Sequence, residues 1–475
     1  MKRWLVVFAA GLAALMGSSA GAQTSAPQVV KGPDERFKAD ILVVVAHPDD
    51  EGGVTPYLAR AIYDEHKRVA VVYTTRGGSG GNDYTREHGP ALADIREQEA
   101  RQACAKLDIT NVWFLDGKDT ASQNVLNSLA NWGHGANLEA LVRIVRLTRP
   151  EVIISWLPGI FIGENHGDHQ ASGVLATEAF DLANDPTAFP AQVAGASKRL
   201  EIYLENLTPW QPKKLYFFSD ADDQKQFVGT GPAYSIREVS PSQKKPYWRL
   251  AMDAAMPHLT QFPEDIQHFS KMSDDELNKM MSDPNAGWWP EPMTLIFGKA
   301  AEPTPRWRAI FADLEPQQAE PPSTIENYSG PAITYPTPPS LALGTGGPWG
   351  YYEAFRSVHK MKELLFAPGG AEIGVKSGSI VTIPLIVTHK MDAPREIIIK
   401  VNVPSGWKVI SGEGKLSLPN EEKTLLRVEV QTPEVPTKDL KNSQPKSIRV
   451  EGINGNAIFG SVDLKVLLRS NALPQ

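Results

Sequence analysis

Residues 41–51 read ILVVVAHPDDE, a continuous apolar run that ends in a histidine, a proline and three acids. The apolar part at 41–46 predicts a β-strand that is buried on both faces. Similar apolar runs recur at 69–75 (VAVVYTT) and 152–156 (VIISW). Because strands buried on both faces are typical of parallel sheets covered by helices, these three runs indicate an α/β fold.

The segments around these strands show helical periodicity. Strands that alternate with helices at this spacing predict parallel βαβ units, and therefore an α/β, Rossmann-like, doubly wound and mostly parallel sheet. Ligands of such sheets bind beyond the carboxyl ends of the strands, so we expect functional residues directly after each strand. The predicted helices are 54–67, 91–107, 138–147 and 168–182, and a short further strand is predicted at 112–115.

The pattern changes in the C-terminal part of the chain. Residues 316–348 contain eight prolines and four glycines, which is typical of a linker. From residue 368 onward, period-2 apolar alternation with turn signals predicts an antiparallel β-sandwich. We therefore divide the chain into an α/β domain at 38–310, a linker at 316–350 and a β-sandwich accessory domain at 368–470.

The N-terminus has the features of a secretory signal peptide at residues 1–22. Lys2 and Arg3 precede an apolar stretch at 4–16, and small residues follow at 20–22. An uncleaved membrane anchor is the alternative, but the apolar stretch is shorter than the roughly 20 residues that a span requires. We therefore expect an exported bacterial protein, periplasmic or extracellular, with no stable membrane insertion after cleavage.

Composition excludes several classes of protein. The chain of 475 residues is 41% hydrophobic and 22% charged, which is a globular composition. Its net charge of -7 argues against a general nucleic-acid partner, since phosphate binding requires a basic surface. The single cysteine, Cys104, excludes an internal disulfide and any multi-cysteine zinc site. Nothing in the sequence specifies an oligomeric state.

Two clusters of metal-ligand residue types follow two of the predicted strands. Residues 47–51 read His-Pro-Asp-Asp-Glu, and residues 165–169 read Asn-His-Gly-Asp-His. Two imidazoles and a carboxylate with an open fourth position are typical of a catalytic zinc site, beside which a free carboxylate can act as general base. The alternative is that the acids only cap the helix that begins near residue 54. Two such clusters at two strand ends favour the metal site.

The motifs AHPDDE (46–51) and HGDH (166–169) resemble those of the PIG-L/LmbE family of zinc-dependent N-deacetylases, which act mostly on substrates containing N-acetylglucosamine. The similarity extends over about residues 38–300 and includes the family's Rossmann-like fold. The longer, exported bacterial members also resemble this chain in the loop at 76–82. Further matching features are the loop at 76–82, Arg96-x-x-Glu99, Asp116-Gly117, residues 167–171 and residues 210–216.

The resemblance implies a metal centre and a base. His47, Asp50 and His169 would be the zinc ligands, and Asp49 would take a proton from the zinc-bound water that attacks the amide. Zn²⁺ would be the cofactor, although a histidine and carboxylate set also accepts other divalent ions.

The resemblance also implies a second catalytic residue. His166 would stabilise the oxyanion or protonate the leaving amine, and Asp168 would hold His166 in the required tautomer. The sequence departs from the family at Glu164, since some members carry a tyrosine at the matching position.

Three residues are predicted to bind substrate. Arg76 and Asn82 flank a glycine-rich loop after the second strand, where they could contact a sugar. Arg96 is predicted to reach the site, and the alternative for it is a pair with Glu99 one helical turn away.

These features predict a hydrolase that removes an acetyl group from an N-acetylated amino sugar, oligosaccharide or glycoconjugate. An amidase of the same family acting on another amide conjugate, and a non-catalytic carbohydrate-binding protein, are the alternatives. A serine esterase is disfavoured, although residues 77–81 match the G-x-S-x-G pattern around Ser79, because no helix is predicted directly after that serine.

Overall fold

The computed structural model describes residues 34–82, 84–161, 166–195, 204–283, 289–314, 340–361, 371–389, 396–419, 423–440 and 443–470. The predicted signal peptide at 1–22, residue Glu164 and most of the predicted linker lie outside these ranges. Among the helices within them, none is both long and apolar enough to cross a membrane.

The N-terminal part of the protein is an α/β structure. Its strands are β1 (Ile41–Val45), β2 (Val69–Thr75), β3 (Asn111–Gly117), β4 (Val152–Trp156), β5 (Lys214–Phe218), β6 (Ala233–Tyr234), β7 (Met293–Thr294) and β8 (Ile296–Ala300). Its helices are α1 (Thr55–Tyr63), α2 (Pro90–Ala105), α3 (Val125–Trp132), α4 (His134–Thr148), α5 (Gly167–Leu182), α6 (Pro190–Val193), α7 (Tyr247–Ala255), α8 (Pro263–Phe269) and α9 (Asp274–Ser282).

A six-stranded sheet with the order β3-β2-β1-β4-β5-β8 forms the centre of this part. All neighbouring strands are parallel except β5 and β8. The side chains of β1 are fully buried and alternate between two apolar clusters, with Val43 in one and Val44 in the other. This arrangement confirms the predicted doubly wound, Rossmann-like sheet.

The strand order places a crevice at the ends of β1 and β4. β1 lies between β2 and β4, so the chain leaves these central strands toward opposite halves of the sheet. Such a reversal of strand order opens a crevice beyond the carboxyl ends, which is where doubly wound proteins bind ligands. The two histidine and aspartate clusters follow β1 and β4.

The C-terminal part is a β-sandwich, as predicted. Its strands are β9 (Leu341–Thr345), β10 (Ala371–Lys376), β11 (Ile380–His389), β12 (Glu396–Asn402), β13 (Lys408–Ser411), β14 (Gly414–Ser417), β15 (Lys423–Gln431), β16 (Lys446–Asn454) and β17 (Ala457–Arg469). One sheet has the order β10-β17-β16-β12-β14 and the other β13-β15-β11-β9. All pairs are antiparallel except β10 and β17, and the chain passes from β10 to β11 in the opposite sheet.

Two elements replace the end of the predicted linker at 316–350. β9 pairs with β11 in the sandwich, and α10 (Gly347–Val358) follows directly. The glycines and proline that suggested a linker instead start this helix, with Gly347 at a φ of 56° and Pro348 in the first turn.

α10 packs against the α/β part, while Trp349 near its start contacts the apolar cluster of the sandwich. Tyr352 and Phe355 are buried in the same apolar cluster as Phe180 of α5. The Tyr352 hydroxyl donates a hydrogen bond of 2.7 Å to Oε1 of the buried Gln170. A short helix, α11 (Thr437–Leu440), lies between β15 and β16.

Candidate active site

The loops after β1 and β4 bring three of the predicted ligands together. Nδ1 of His47 lies 3.2 Å from Nε2 of His169, and Oδ1 of Asp50 lies 3.6 Å from the first atom and 3.2 Å from the second. Asp50 begins a short 3₁₀ helix that follows β1, and His169 lies in the first turn of α5. The three donor atoms therefore form a nearly equilateral triangle.

This triangle fits a tetrahedral metal ion. Ligands about 2.0–2.2 Å from a tetrahedral zinc ion lie about 3.4 Å apart, which matches the three separations. Two imidazole nitrogens and one carboxylate oxygen are also the donor types of catalytic zinc sites. The residues present therefore fit the ion that the sequence predicts. His47 belongs to two further compatible sets of donors, one with His166 and His169 and the other with Asp119 and Asp168.

Asp50 is held by hydrogen bonds to its second oxygen. Oδ2 accepts from the backbone N–H groups of Ala46 and His47 and from the indole N–H of Trp156, each at 2.8 Å. Burial alone would raise the pKa of Asp50, but His169 and His47 hold it well below its ordinary value. Asp50 is therefore ionised and oriented with Oδ1 toward the two histidines.

Asp49 has an unusual backbone and a shifted pKa. Its φ of 142° lies in a region that favours glycine, and such strain is found mostly at functional positions. Burial and the neighbouring carboxylate of Asp50 raise the pKa of Asp49 to about 7. The side chain lines the same cavity as the three predicted ligands.

His166 lies within the cluster, as the sequence predicts. Its ring is 4.7 Å from that of His47 and 4.9 Å from that of His169, measured between centroids. Nδ1 of His166 accepts a hydrogen bond of 3.2 Å from the backbone N–H of Asp168. A neutral His166 therefore carries its proton on Nε2, where it can act as a donor.

The carboxylate of Asp168 has partners other than the predicted one. It accepts hydrogen bonds from the backbone N–H and hydroxyl of Thr120, and Oδ2 lies 3.4 Å from Nε2 of His47. Since Nδ1 of His47 faces the other two ligands, Asp168 contacts the opposite edge of that ring. These contacts fit an orienting role toward His47.

Asp119 is a site residue that the sequence analysis missed. Its Oδ1 lies 3.2 Å from Nε2 of His47, and its Oδ2 accepts a hydrogen bond of 2.8 Å from the backbone N–H of Ser79. Although burial opposes it, the bond with His47 lowers the pKa of Asp119. Its place directly after β3, a strand end expected to be functional, was the signal in the sequence; the motif match at this strand end was Asp116, which is exposed.

The glycine-rich loop is tied to Asp119 and does not form a nucleophile elbow. The Ser79 hydroxyl donates to the backbone oxygen of Asp119 at 2.9 Å. The next helix, α2, begins only at Pro90, whereas a nucleophile elbow requires a helix directly after the serine. The serine esterase alternative therefore lacks its structural context.

A cavity of about 650 Å³ opens over the cluster. Its lining includes His258, Gln261 and Trp289, whose side chains contact the segment after β1. Nε2 of His258 lies 2.8 Å from a carboxylate oxygen of Glu51, Gln261 donates to the backbone oxygen of Pro48, and the Trp289 indole donates to that of Gly52.

The predicted substrate-binding residues occupy different positions. Arg96 lines the cavity, and its guanidinium donates to the backbone oxygens of Gly77 and Gly81, both at 2.7 Å. Arg76 instead pairs with acids of α2, and Asn82 caps its own loop through Thr85 and neighbouring backbone groups. Neither Arg76 nor Asn82 belongs to the residues that line the cavity.

Arg96→Met is expected to lower the free energy of unfolding by about 2 kcal/mol, because the buried carbonyl of Gly77 and the more exposed carbonyl of Gly81 both lose their donor. Arg76→Met is the matched control and should cost less than about 1 kcal/mol, since its ion pairs are partly exposed. Urea denaturation measures both. Equal costs for the two variants would contradict a role for Arg96 in holding the loop.

The comparisons with known proteins agree with this geometry. The profile of the PIG-L family, described as GlcNAc-PI de-N-acetylase, matches residues 42–180. The chain is 33% identical over 188 residues to 1D-myo-inositol 2-acetamido-2-deoxy-alpha-D-glucopyranoside deacetylase 1 of Frankia alni, which covers 36% of this chain and 59% of that relative. It is 31% identical over 229 residues to 1D-myo-inositol 2-acetamido-2-deoxy-alpha-D-glucopyranoside deacetylase 2 of Frankia casuarinae. That match covers 44% of this chain and 70% of the relative. The chain therefore belongs to the PIG-L family.

The match spans little more than half of the first of these relatives. Among solved structures, N,N'-diacetylchitobiose deacetylase from Pyrococcus horikoshii is 18% identical with a TM-score of 0.37, covering 59% of this chain and 88% of that one.

Proposed function

We propose that this protein is an exported, zinc-dependent N-deacetylase that removes the acetyl group of an N-acetylated amino sugar or glycoconjugate. The observation that carries the proposal is the triangle formed by His47 Nδ1, Asp50 Oδ1 and His169 Nε2 beside the strained Asp49. Membership of the PIG-L family and the names of its deacetylase relatives support the acetamido sugar as substrate.

Each residue of the cluster has a defined part in this proposal. Zinc, held by His47, Asp50 and His169, would supply the Lewis acid that makes water nucleophilic and polarises the acetamide carbonyl. Asp49 would accept the proton of the attacking water, because it is a carboxylate that lines the cavity beside the ligands without being one, whereas Asp119 and Asp168 contact Nε2 of His47. Nε2–H of His166 would donate to the carbonyl oxygen or to the leaving nitrogen.

The surrounding residues would orient the cluster. Asp119 and Asp168 contact Nε2 of His47, so that its Nδ1 would face the ion. A carboxylate partner on the ring nitrogen that does not bind the metal is usual for histidine ligands. The cavity of about 650 Å³ is large enough for a sugar with part of its aglycone. Export, inferred from residues 1–22, favours an extracytoplasmic glycan as the substrate, and the sandwich would brace the catalytic part.

The test is acetate release from N-acetylated monosaccharides and chito-oligosaccharides. We expect release by the zinc-loaded protein, loss of at least about 100-fold after chelation, and recovery when zinc is added back. Acetate that survives chelation would overturn the metal mechanism. Zinc binding without acetate from any sugar, but with release of another acid from amide conjugates, would instead establish the alternative amidase; binding of glycan without turnover would establish the carbohydrate-binding protein.

A further inference from the structure

Trp156 touches two of the three predicted ligands. It is the last residue of β4, and 4% of its surface is exposed. Its indole N–H donates to Oδ2 of Asp50 at 2.8 Å. Its ring lies parallel to that of His169, with an interplanar angle of 2° and centroids 4.3 Å apart. The indole of Trp156 therefore holds the Asp50 carboxylate through its N–H and the His169 imidazole by stacking.

The hydrogen bonds of Asp50 leave only one of its oxygens free. Oδ2 accepts from Trp156 and from the backbone N–H groups of Ala46 and His47. A carboxylate oxygen has about two lone-pair sites, so three donors occupy Oδ2 fully. Oδ1 is the oxygen that lies near the nitrogen atoms of His47 and His169.

The indole is itself held in place from the other side. Phe218, at the end of the neighbouring β5, packs against Trp156 with a centroid separation of 4.2 Å. Both rings come from adjacent parallel strands of the central sheet. The position of the indole N–H is therefore set by the rigid sheet rather than by a loop, which is what precise placement of a site requires.

We propose that Trp156 is a positioning residue of the metal site, which acts with the backbone N–H groups of Ala46 and His47 to direct Asp50 to ligation through Oδ1 and fixes the ring plane of His169. This inference rests on the proposed function, because that function places a metal ion among these ligands. The two backbone donors belong to the same segment as Asp50, whereas Trp156 lies on β4 and contacts both Asp50, which follows β1, and His169 on α5.

The test compares Trp156→Phe with a matched control. Phenylalanine keeps an aromatic ring against His169 but removes the N–H that binds Asp50. Trp210→Phe removes an equivalent bond of 2.8 Å, from the Trp210 indole to the backbone oxygen of Pro150, at the opposite end of β4. Zinc affinity is measured by competition with a chromophoric chelator, and the Co²⁺ form of each variant supplies a visible spectrum of the ligand field.

Trp156→Phe should bind zinc about 10–100-fold more weakly, with an altered Co²⁺ spectrum, as is usual when the hydrogen-bond partner of a ligand is removed. Trp210→Phe should keep the wild-type affinity within about twofold, since it lies far from the ligands. Equal affinities for the two variants would overturn the inference while leaving the proposed function intact. A wild-type protein that binds no zinc would overturn both.

Two further measurements separate positioning from folding. The rise in unfolding temperature on zinc addition, taken against the metal-free form of each variant, should be smaller for Trp156→Phe than for Trp210→Phe, because it depends on metal affinity. In zinc-loaded wild-type crystals, Asp50 should bind through one oxygen at about 2.0–2.2 Å, with the other still on the Trp156 indole. A carboxylate bound through both oxygens would overturn the inference.

Discussion

Asp49→Asn is expected to lower the turnover number for acetate release by about 10²–10⁴-fold while zinc affinity remains close to that of the wild type. The amide has nearly the same shape as the carboxylate but cannot accept the proton of the attacking water. Asp49 lies beside the predicted ligands without being one of them, so its replacement should leave the donor triangle of His47, Asp50 and His169 in place. Steady-state kinetics on zinc-loaded protein, with metal content determined on the same sample, measure both quantities.

The matched control is Asp94→Asn, which also removes one carboxylate. Asp94 pairs with Arg76 on the surface of α2, and its side chain is 70% exposed. This variant should keep wild-type turnover, because exposed ion pairs contribute little and this one is outside the cavity. Turnover of Asp49→Asn within a few fold of wild type would rule out Asp49 as the base, and a parallel loss of zinc would show that it is a ligand instead.

Asp50→Ala is expected to abolish acetate release, to weaken zinc binding on the order of 10³-fold, and to destabilise the metal-free protein. The first two effects follow from the loss of the anionic ligand. The third follows because Ala46 N–H, His47 N–H and the Trp156 indole lose their common acceptor. With buried unpaired donors costing about 1–3 kcal/mol each, and with some relaxation, we expect about 2–4 kcal/mol in the free energy of unfolding.

Asp50→Asn separates these effects. Its amide oxygen can still accept from the three donors, so the metal-free protein should lose at most about 1 kcal/mol, whereas the anionic ligand is lost as in Asp50→Ala. Urea denaturation in the presence of a chelator measures stability, and isothermal titration with zinc measures affinity. Equal stability of the alanine and asparagine variants would contradict the hydrogen-bond role of Oδ2, and wild-type zinc affinity in either would contradict Asp50 as a ligand.

The central sheet could be predicted because burial on both faces leaves a direct mark on the sequence. The apolar runs at 69–75 and 152–156 have the bounds of β2 and β4. α10 could not be predicted in this way, because glycine and proline at its start indicate a loop unless the surrounding structure supplies partners. Tyr352 and Phe355 supply them by packing on another part of the chain, which no local pattern reports.

The sequence predicted the strand ends at which the site lies and the set of ligand-type residues that gather there. His47, Asp50 and His169 follow strands whose carboxyl ends must meet, so their convergence is a consequence of topology. The direction of a side chain does not follow from topology. Arg76 comes directly after β2, but its guanidinium pairs with the acids of α2.

Asp119 and Trp156 are residues of the site whose roles the sequence did not predict. Each acts through an atom of a distant residue, Nε2 of His47 for Asp119 and Oδ2 of Asp50 for Trp156. A tryptophan at the end of a buried strand resembles ordinary core, and an aspartate in a loop resembles ordinary surface. Only the assembled contacts distinguish them from such residues.

The position of α10 makes the two halves of this protein difficult to separate. β9 belongs to the sandwich, yet the helix that follows it completes the apolar cover of α5, the helix that begins two residues before His169. A protein shortened after residue 314 would uncover Phe180 and leave Gln170 without the Tyr352 hydroxyl. The sandwich is therefore not a module that can be removed without affecting the α/β part. A catalytic fragment would have to retain residues 347–361.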